Sequence, residues 1–158
     1  MRSAAVIIAS TRAAAGTYQD ECAPLITAWL AERGYQAAGT DVVADGDPFR
    51  QALAERLAEG HAAVITSGGT GLSPDDLTPE ITAEFLERHL PGIMEAMREA
   101  GRAKTPMASL SRGYAGTSGT SFVINLPGSP SGVGDGLDVL APLLDHVCAQ
   151  LEGRDAHI

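Results

Sequence analysis

Three short apolar runs constrain this chain more than any other feature: AAVIIA at Ala4–Ala9, AAVIT at Ala62–Thr66 and SFVINL at Ser121–Leu126. Each has the length of a strand and is apolar without alternation. Such a strand needs cover on both faces, as in a mainly parallel sheet held between helices. The segments between them supply those helices. Tyr18, Cys22, Leu25, Ile26, Trp29 and Leu30 recur at helical spacing, predicting a helix that starts near residues 20–23, carries Pro24 in its first turn and stops at Gly34. A last helix is expected with Leu140, Leu143, Leu144, Val147 and Leu151 on one face. Tyr35–Ala44 reads as a further strand and Ala108–Leu110 as a short one. Asp47-Pro48, Ser73-Pro74, Thr78-Pro79 and Ser129-Pro130 each put a capping oxygen before a proline and predict a helix start, whereas Leu90-Pro91 splits a helical run. The 158 residues show no linker or repeat and predict one α/β domain, 1–158.

Aromatic residues are only 4% of the chain, so Ala, Val, Ile and Leu must build the core. The formal charge of −9 repels nucleic-acid phosphates and anionic membranes, so neither is an expected partner. Any anion bound here must be held by backbone dipoles, a few arginines and a metal ion. Cys22 and Cys148 form no disulfide framework, and His61, His89, His146 and His157 lack ligand spacing, which argues against zinc. Met94 and Met97 share a helical face and read as core or subunit contact. The apolar run after Arg2 is too short for a signal peptide, and none approaches the roughly 20 residues of a membrane helix. A cytoplasmic protein is expected.

The glycines point to the chemistry. AAVIT runs into Ser67-Gly68-Gly69-Thr70-Gly71, and ligands of an open parallel sheet bind beyond the carboxyl ends of its strands. Glycines there allow close approach, and N–H groups with the hydroxyls of Ser67 and Thr70 make a nest for phosphate oxygens. The single lysine, Lys104, follows no glycine loop, which excludes a P-loop NTPase. SFVINL likewise exits into Asn125-Leu126-Pro127-Gly128-Ser129-Pro130 at a helix start, whose dipole favours an anion. Ser111 and Arg112 precede that strand, and Arg112 is expected to grip phosphate. Gly116–Thr120 reads equally well as hairpin chemistry. Asp47 is read as a cap for the helix at Pro48. Asp45 and Asp76 are placed to meet across the cleft, a pairing that Mg²⁺ would relieve.

These motifs resemble the MogA/MoaB family of molybdenum-cofactor biosynthesis, within it the molybdopterin adenylyltransferases. The likeness rests on TSGGTG at Thr66–Gly71, Asp76 with Thr78-Pro79-Glu80, Pro91-Gly92 with Glu95 and Arg98, Ser111-Arg112, and NLPGSP at Asn125–Pro130. It implies a three-layer α/β/α sandwich, assembled as a homotrimer, that transfers AMP from Mg-ATP to the terminal phosphate of molybdopterin before a molybdenum-insertion protein takes the product. By the same resemblance Asp45 and Asp76 are catalytic and hold Mg²⁺, while Ser67, Gly68, Gly69, Thr70, Gly71, Ser111, Arg112, Asn125, Pro127, Gly128 and Ser129 bind substrate and phosphate. Three positions depart from the family pattern. Thr11 replaces an aspartate, Asp75 replaces an arginine and Ala23 replaces a glycine. The other expectation is a relative that holds or delivers molybdopterin without adenylating it.

Overall fold

The computed structural model describes residues 1–154; His157 and the other three of the last four expected domain positions lie outside them. Among the described residues six strands form one sheet in the order β2-β1-β3-β6-β5-β4. β1 (Ser3–Ala9), β2 (Gln36–Val43), β3 (Ala63–Ser67) and β6 (Ser121–Leu126) are parallel. β4 (Arg88–His89) and β5 (Ala115–Ser118) add an antiparallel edge.

The apolar runs are buried on both faces, and the pleat divides them. Ala4, Val6 and Ile8 of β1, Ala63 and Ile65 of β3, and Phe122, Ile124 and Leu126 of β6 face one core. That core is closed by α2 (Cys22–Glu32), α5 (Pro91–Arg102), α6 (Pro130–Leu140) and α7 (Leu144–Leu151). Ala5, Ile7, Val64 and Val123 face the other core, closed by α3 (Asp47–Ala58) and α4 (Thr78–Ala83). The three layers follow from that division. Met94 and Met97 are buried in the first core. Among the described residues no helix is long and apolar enough to cross a membrane.

The helix signals hold where a capping oxygen is free. Asp20 accepts from the N–H groups of Cys22 (3.1 Å) and Ala23 (2.8 Å), starting α2 where the spacing predicts. Ser129 caps α6 by accepting from Gly132 N–H at 3.1 Å. Asp47 and Thr78 cap nothing, although Pro48 and Pro79 do open helices. Asp47 pairs with Arg50, and the Thr78 hydroxyl is buried without a partner. No helix starts at Ser73-Pro74. Ser73 N–H instead donates to Asp76 Oδ2 (3.0 Å) and Asp76 N–H to Ser73 O (2.9 Å), closing a turn.

Three further expectations are corrected. Ala108–Leu110 is part of a 3₁₀ helix (Pro106–Leu110), because Pro106 follows a Thr105 whose hydroxyl accepts from Met107 N–H. The final helical run breaks after Leu140, so Leu140 belongs to α6 and Leu144 to α7. Leu90-Pro91 opens α5, but the strand β4, not a helix, lies before it. A short helix, α1 (Thr11–Ala14), follows β1, with Ser10 as its cap.

Candidate active site

β1, β2, β3 and β6 all deliver their carboxyl ends to one rim, and both glycine turns lie there. Ser67 and Leu126 are register partners. Beyond them Gly68 N–H donates to Leu126 O at 3.0 Å, and Ser67 Oγ donates to Pro127 O at 2.7 Å. The close approach demands glycine at two places. Gly68 has φ of 93° and a Cβ there would lie 2.4 Å from Ala9 O. Gly69 has φ of 70° and a Cβ would lie 2.2 Å from both Asp45 Oδ2 and Thr78 Oγ1.

Two hollows open on either side of Gly69. The larger, about 560 Å³, takes Gly69, Thr70 and Gly71 from the first turn and Pro127, Gly128 and Ser129 from the second. Its wall is mostly apolar, with Leu72, Met94, Met97, Met107 and Leu110. The amino end of α6 opens into it through Ser131 and Gly132, and although Ser129 already caps Gly132 N–H, the helix dipole favours an anion there. Two cations line it. Arg98 donates to Ser111 O at 3.2 Å, and Lys104 pairs with Asp135 at 2.7 Å. Ser111 Oγ, also in the lining, is buried with no hydrogen-bond partner, leaving a hydroxyl for a ligand to satisfy.

The smaller hollow, about 260 Å³, lies between Ala9–Arg12, Asp45, Gly69, Asp75 and Asp76. Asp45 accepts from Gly46 N–H (2.8 Å) and from Leu77 N–H (3.0 Å). Asp76 accepts from Ser73 N–H (3.0 Å), and a Cβ on Gly71 would come within 2.8 Å of its Oδ2. The expected pair of carboxylates therefore does share one hollow, joined by Asp75. Among the described residues Arg12 is the only cation lining it, and its guanidinium lies 5.3 Å from the centre of the Tyr18 ring.

Four expected site residues stand behind this lining. Ser67 and Gly68 are spent on joining the turns. Asn125 is fully buried. Its amide donates to Thr66 Oγ1 (2.9 Å) and Thr82 Oγ1 (3.0 Å), and its Oδ1 accepts from Tyr114 N–H (2.9 Å). Arg112 lines neither hollow. Its guanidinium donates to Gly71 O (2.9 Å) and Asp76 O (3.0 Å) and pairs with Glu80, whose carboxylate raises it above its already high range. Its hydrogen bonds in this structure run to the loop and to Glu80. Conversely, the sequence reading left Arg98 and Lys104 out of the site. Both reach it through the packing of α5 on α6, where Gly136 lies so close to Met97 that a Cβ would sit 3.1 Å from its sulfur. Arg98 belongs to a motif that carries the resemblance, but no local pattern places it or Lys104 in the hollow.

The α/β sandwich with both glycine turns on its carboxyl rim has the fold of molybdopterin-biosynthesis proteins. Residues 5–146 match the family described as a probable molybdopterin binding domain, and the chain belongs to it. The molybdopterin biosynthesis Mog protein of Mycobacterium ulcerans superposes with a TM-score of 0.91 at 50% identity, covering 96% of this chain and 99% of that one. The molybdopterin adenylyltransferase of Haemophilus influenzae is 35% identical over 84% of this chain and 70% of its own length. A molybdenum cofactor biosynthesis bifunctional protein of Synechococcus elongatus is 44% identical over 96% of this chain and 48% of its own length. The chain spans about half the length of the bifunctional relatives that it matches.

Proposed function

We propose that this chain is a cytoplasmic molybdopterin adenylyltransferase, joining AMP from ATP to the terminal phosphate of molybdopterin. One observation carries the reading: a single glycine, Gly69, divides a largely apolar hollow from an acidic one. The flat pterin suits the wall of Met94, Met97 and Leu72. Its phosphate is received by Ser111, Ser129, the dipole at the amino end of α6, and Thr70. The phosphates of ATP lie towards Asp45 and Asp76. An oxygen of the pterin's terminal phosphate attacks the α-phosphorus, a P–O bond forms, the α–β P–O bond breaks, and pyrophosphate leaves.

Both reactants are anions, so the residues must position them and offset repulsion. The N–H groups at the glycine turns and the dipole of α6, with Arg98 and Lys104, do this on the pterin side. Asp45 and Asp76 offer hard oxygen donors that suit Mg²⁺, which supplies charge neutralisation when bound. Among the described residues no group of three His, Cys, Asp or Glu could hold a metal unaided. That fits an ion held by one or two carboxylates together with substrate phosphates. A homotrimer, and a molybdenum-insertion protein that receives the product, complete the proposal.

Asp75 favours a second reading, because it adds a third carboxylate where ATP phosphates must approach. On that reading the chain holds molybdopterin without adenylating it. Incubation with molybdopterin and Mg-ATP, followed by mass spectrometry, separates the two. Adenylated pterin supports the enzyme, and bound but unmodified pterin supports the holder. In the enzyme, Asp76→Asn is expected to cut turnover by about 10²–10³-fold while pterin affinity stays near that of the wild type. Wild-type turnover in that variant would remove Asp76 from the mechanism.

A further inference from the structure

Arg112 touches neither hollow, yet it is bonded at three points to the loop after Gly69 and at a fourth to the helix that follows that loop. Its N–H donates to Thr70 O (3.0 Å), Nε to Gly71 O (2.9 Å), Nη2 to Asp76 O (3.0 Å) and Nη1 to Glu80 Oε2 (2.5 Å). Between Thr70 and Leu77 that segment has no helix or strand to stiffen it. The other side-chain bonds that tie it down run from Asp76 to Ser73 N–H and from Asp45 to Leu77 N–H. Both use the two carboxylates as acceptors. If the loop drifts, they drift with it. Arg112 makes the side-chain contacts that fix the loop without spending either aspartate.

We infer that Arg112, with Glu80 as its counter-charge, is a positioning residue that holds the Thr70–Leu77 loop so that Asp45 and Asp76 face one hollow. The planar fork is what the job requires. Three acceptors lie around one guanidinium, and the ammonium of lysine cannot meet all three in place. Glu80 sits in the first turn of α4, so the same fork also pins the loop to the helix that follows it. This inference rests on the proposed adenylyl transfer for its catalytic consequence, but not for its structural one.

The test uses the whole chain with Arg112→Lys and Glu80→Gln, read in two ways. In turnover with molybdopterin and Mg-ATP, Arg112→Lys is expected to lower kcat by about 10–100-fold, to leave the pterin KM within about twofold, and to raise the Mg²⁺ concentration needed for half-maximal rate. Glu80→Gln is expected to do the same more weakly. In hydrogen exchange without any ligand, the amides of Ser73 and Leu77 are expected to exchange faster in both variants, while the amides of β1 and β3 stay protected. Unchanged exchange at Ser73 and Leu77 overturns the inference. So does a raised pterin KM with kcat intact, which would make Arg112 a substrate contact. If the wild type forms no adenylated pterin, the proposed function fails and the exchange result still decides this inference. Should Arg112→Lys fail to fold, Glu80→Gln carries the test, because its half-exposed side chain is dispensable to the core.

Discussion

Gly69→Ala is the sharpest perturbation the structure offers. The methyl group would arrive 2.2 Å from Asp45 Oδ2 and from Thr78 Oγ1, far inside contact distance, at a φ of 70° that an L side chain resists. The backbone conformation alone costs about 1–2 kcal/mol. Relieving the clash means moving Asp45 off Leu77 N–H, a charge-assisted bond worth about 1.5–3 kcal/mol. The combined cost of about 3–5 kcal/mol corresponds to a fall in Tm of roughly 6–20 °C for a chain of this size. Displacing a carboxylate by about an ångström is expected to cost about 10²-fold in turnover besides. Thermal melts and initial rates of adenylated-pterin formation measure both, with Gly134→Ala as the control. Gly134 lies within α6 with nothing within 4 Å of its would-be Cβ, so alanine there is expected to stabilise by about 0.5–1 kcal/mol. A Gly69→Ala protein that melts with the wild type and keeps most of its rate would refute the link between this glycine and Asp45.

Two further outcomes follow from the interior. Asn125→Ala strips partners from two buried threonine hydroxyls and from Tyr114 N–H, and is expected to cost at least about 3 kcal/mol in urea unfolding. A loss under about 1 kcal/mol would mean that the network is not needed for stability. Burial raises the thiols of Cys22 and Cys148 above 9.0, and burial with the Asp145 bond raises the Tyr35 phenol above 10.0. Groups raised in the folded state hold more protons there, so their contribution is intact below about pH 9 and is lost as pH climbs. Urea midpoints at about pH 8 and about pH 10.5 are expected to differ, less so in Tyr35→Phe, and equal midpoints in the wild type would contradict this.

The strands at the centre of the sheet were readable because β1, β3 and β6 are continuous apolar runs, and burial on both faces leaves no other use for such a run. β4 and β5 were not. Ala115–Ser118 carries no hydrophobic pattern and becomes a strand through pairing with β6 around Gly119, which has φ of 58°. The hairpin reading of Gly116–Thr120 was the sounder half of that expectation. At the candidate site, sequence placed both turns and both aspartates on one rim, and the structure has them there. It did not separate residues that line the hollows from residues that hold the lining. Asn125 and Ser67 lie at the carboxyl ends of neighbouring strands, and which way their side chains point depends on register and on Thr82 and Pro127 across the fold. Arg112 likewise has acceptors 36 and 41 positions away, beyond the reach of a local motif.

Because Gly69 lines both hollows, the two ligands proposed for them would meet at a single peptide unit. Thermodynamic reciprocity then fixes the bookkeeping: whatever factor a nucleotide adds to pterin affinity, the pterin must return to the nucleotide. The order in which the two ligands arrive would alter the route taken through the complexes, and leave the total free energy of the ternary state untouched.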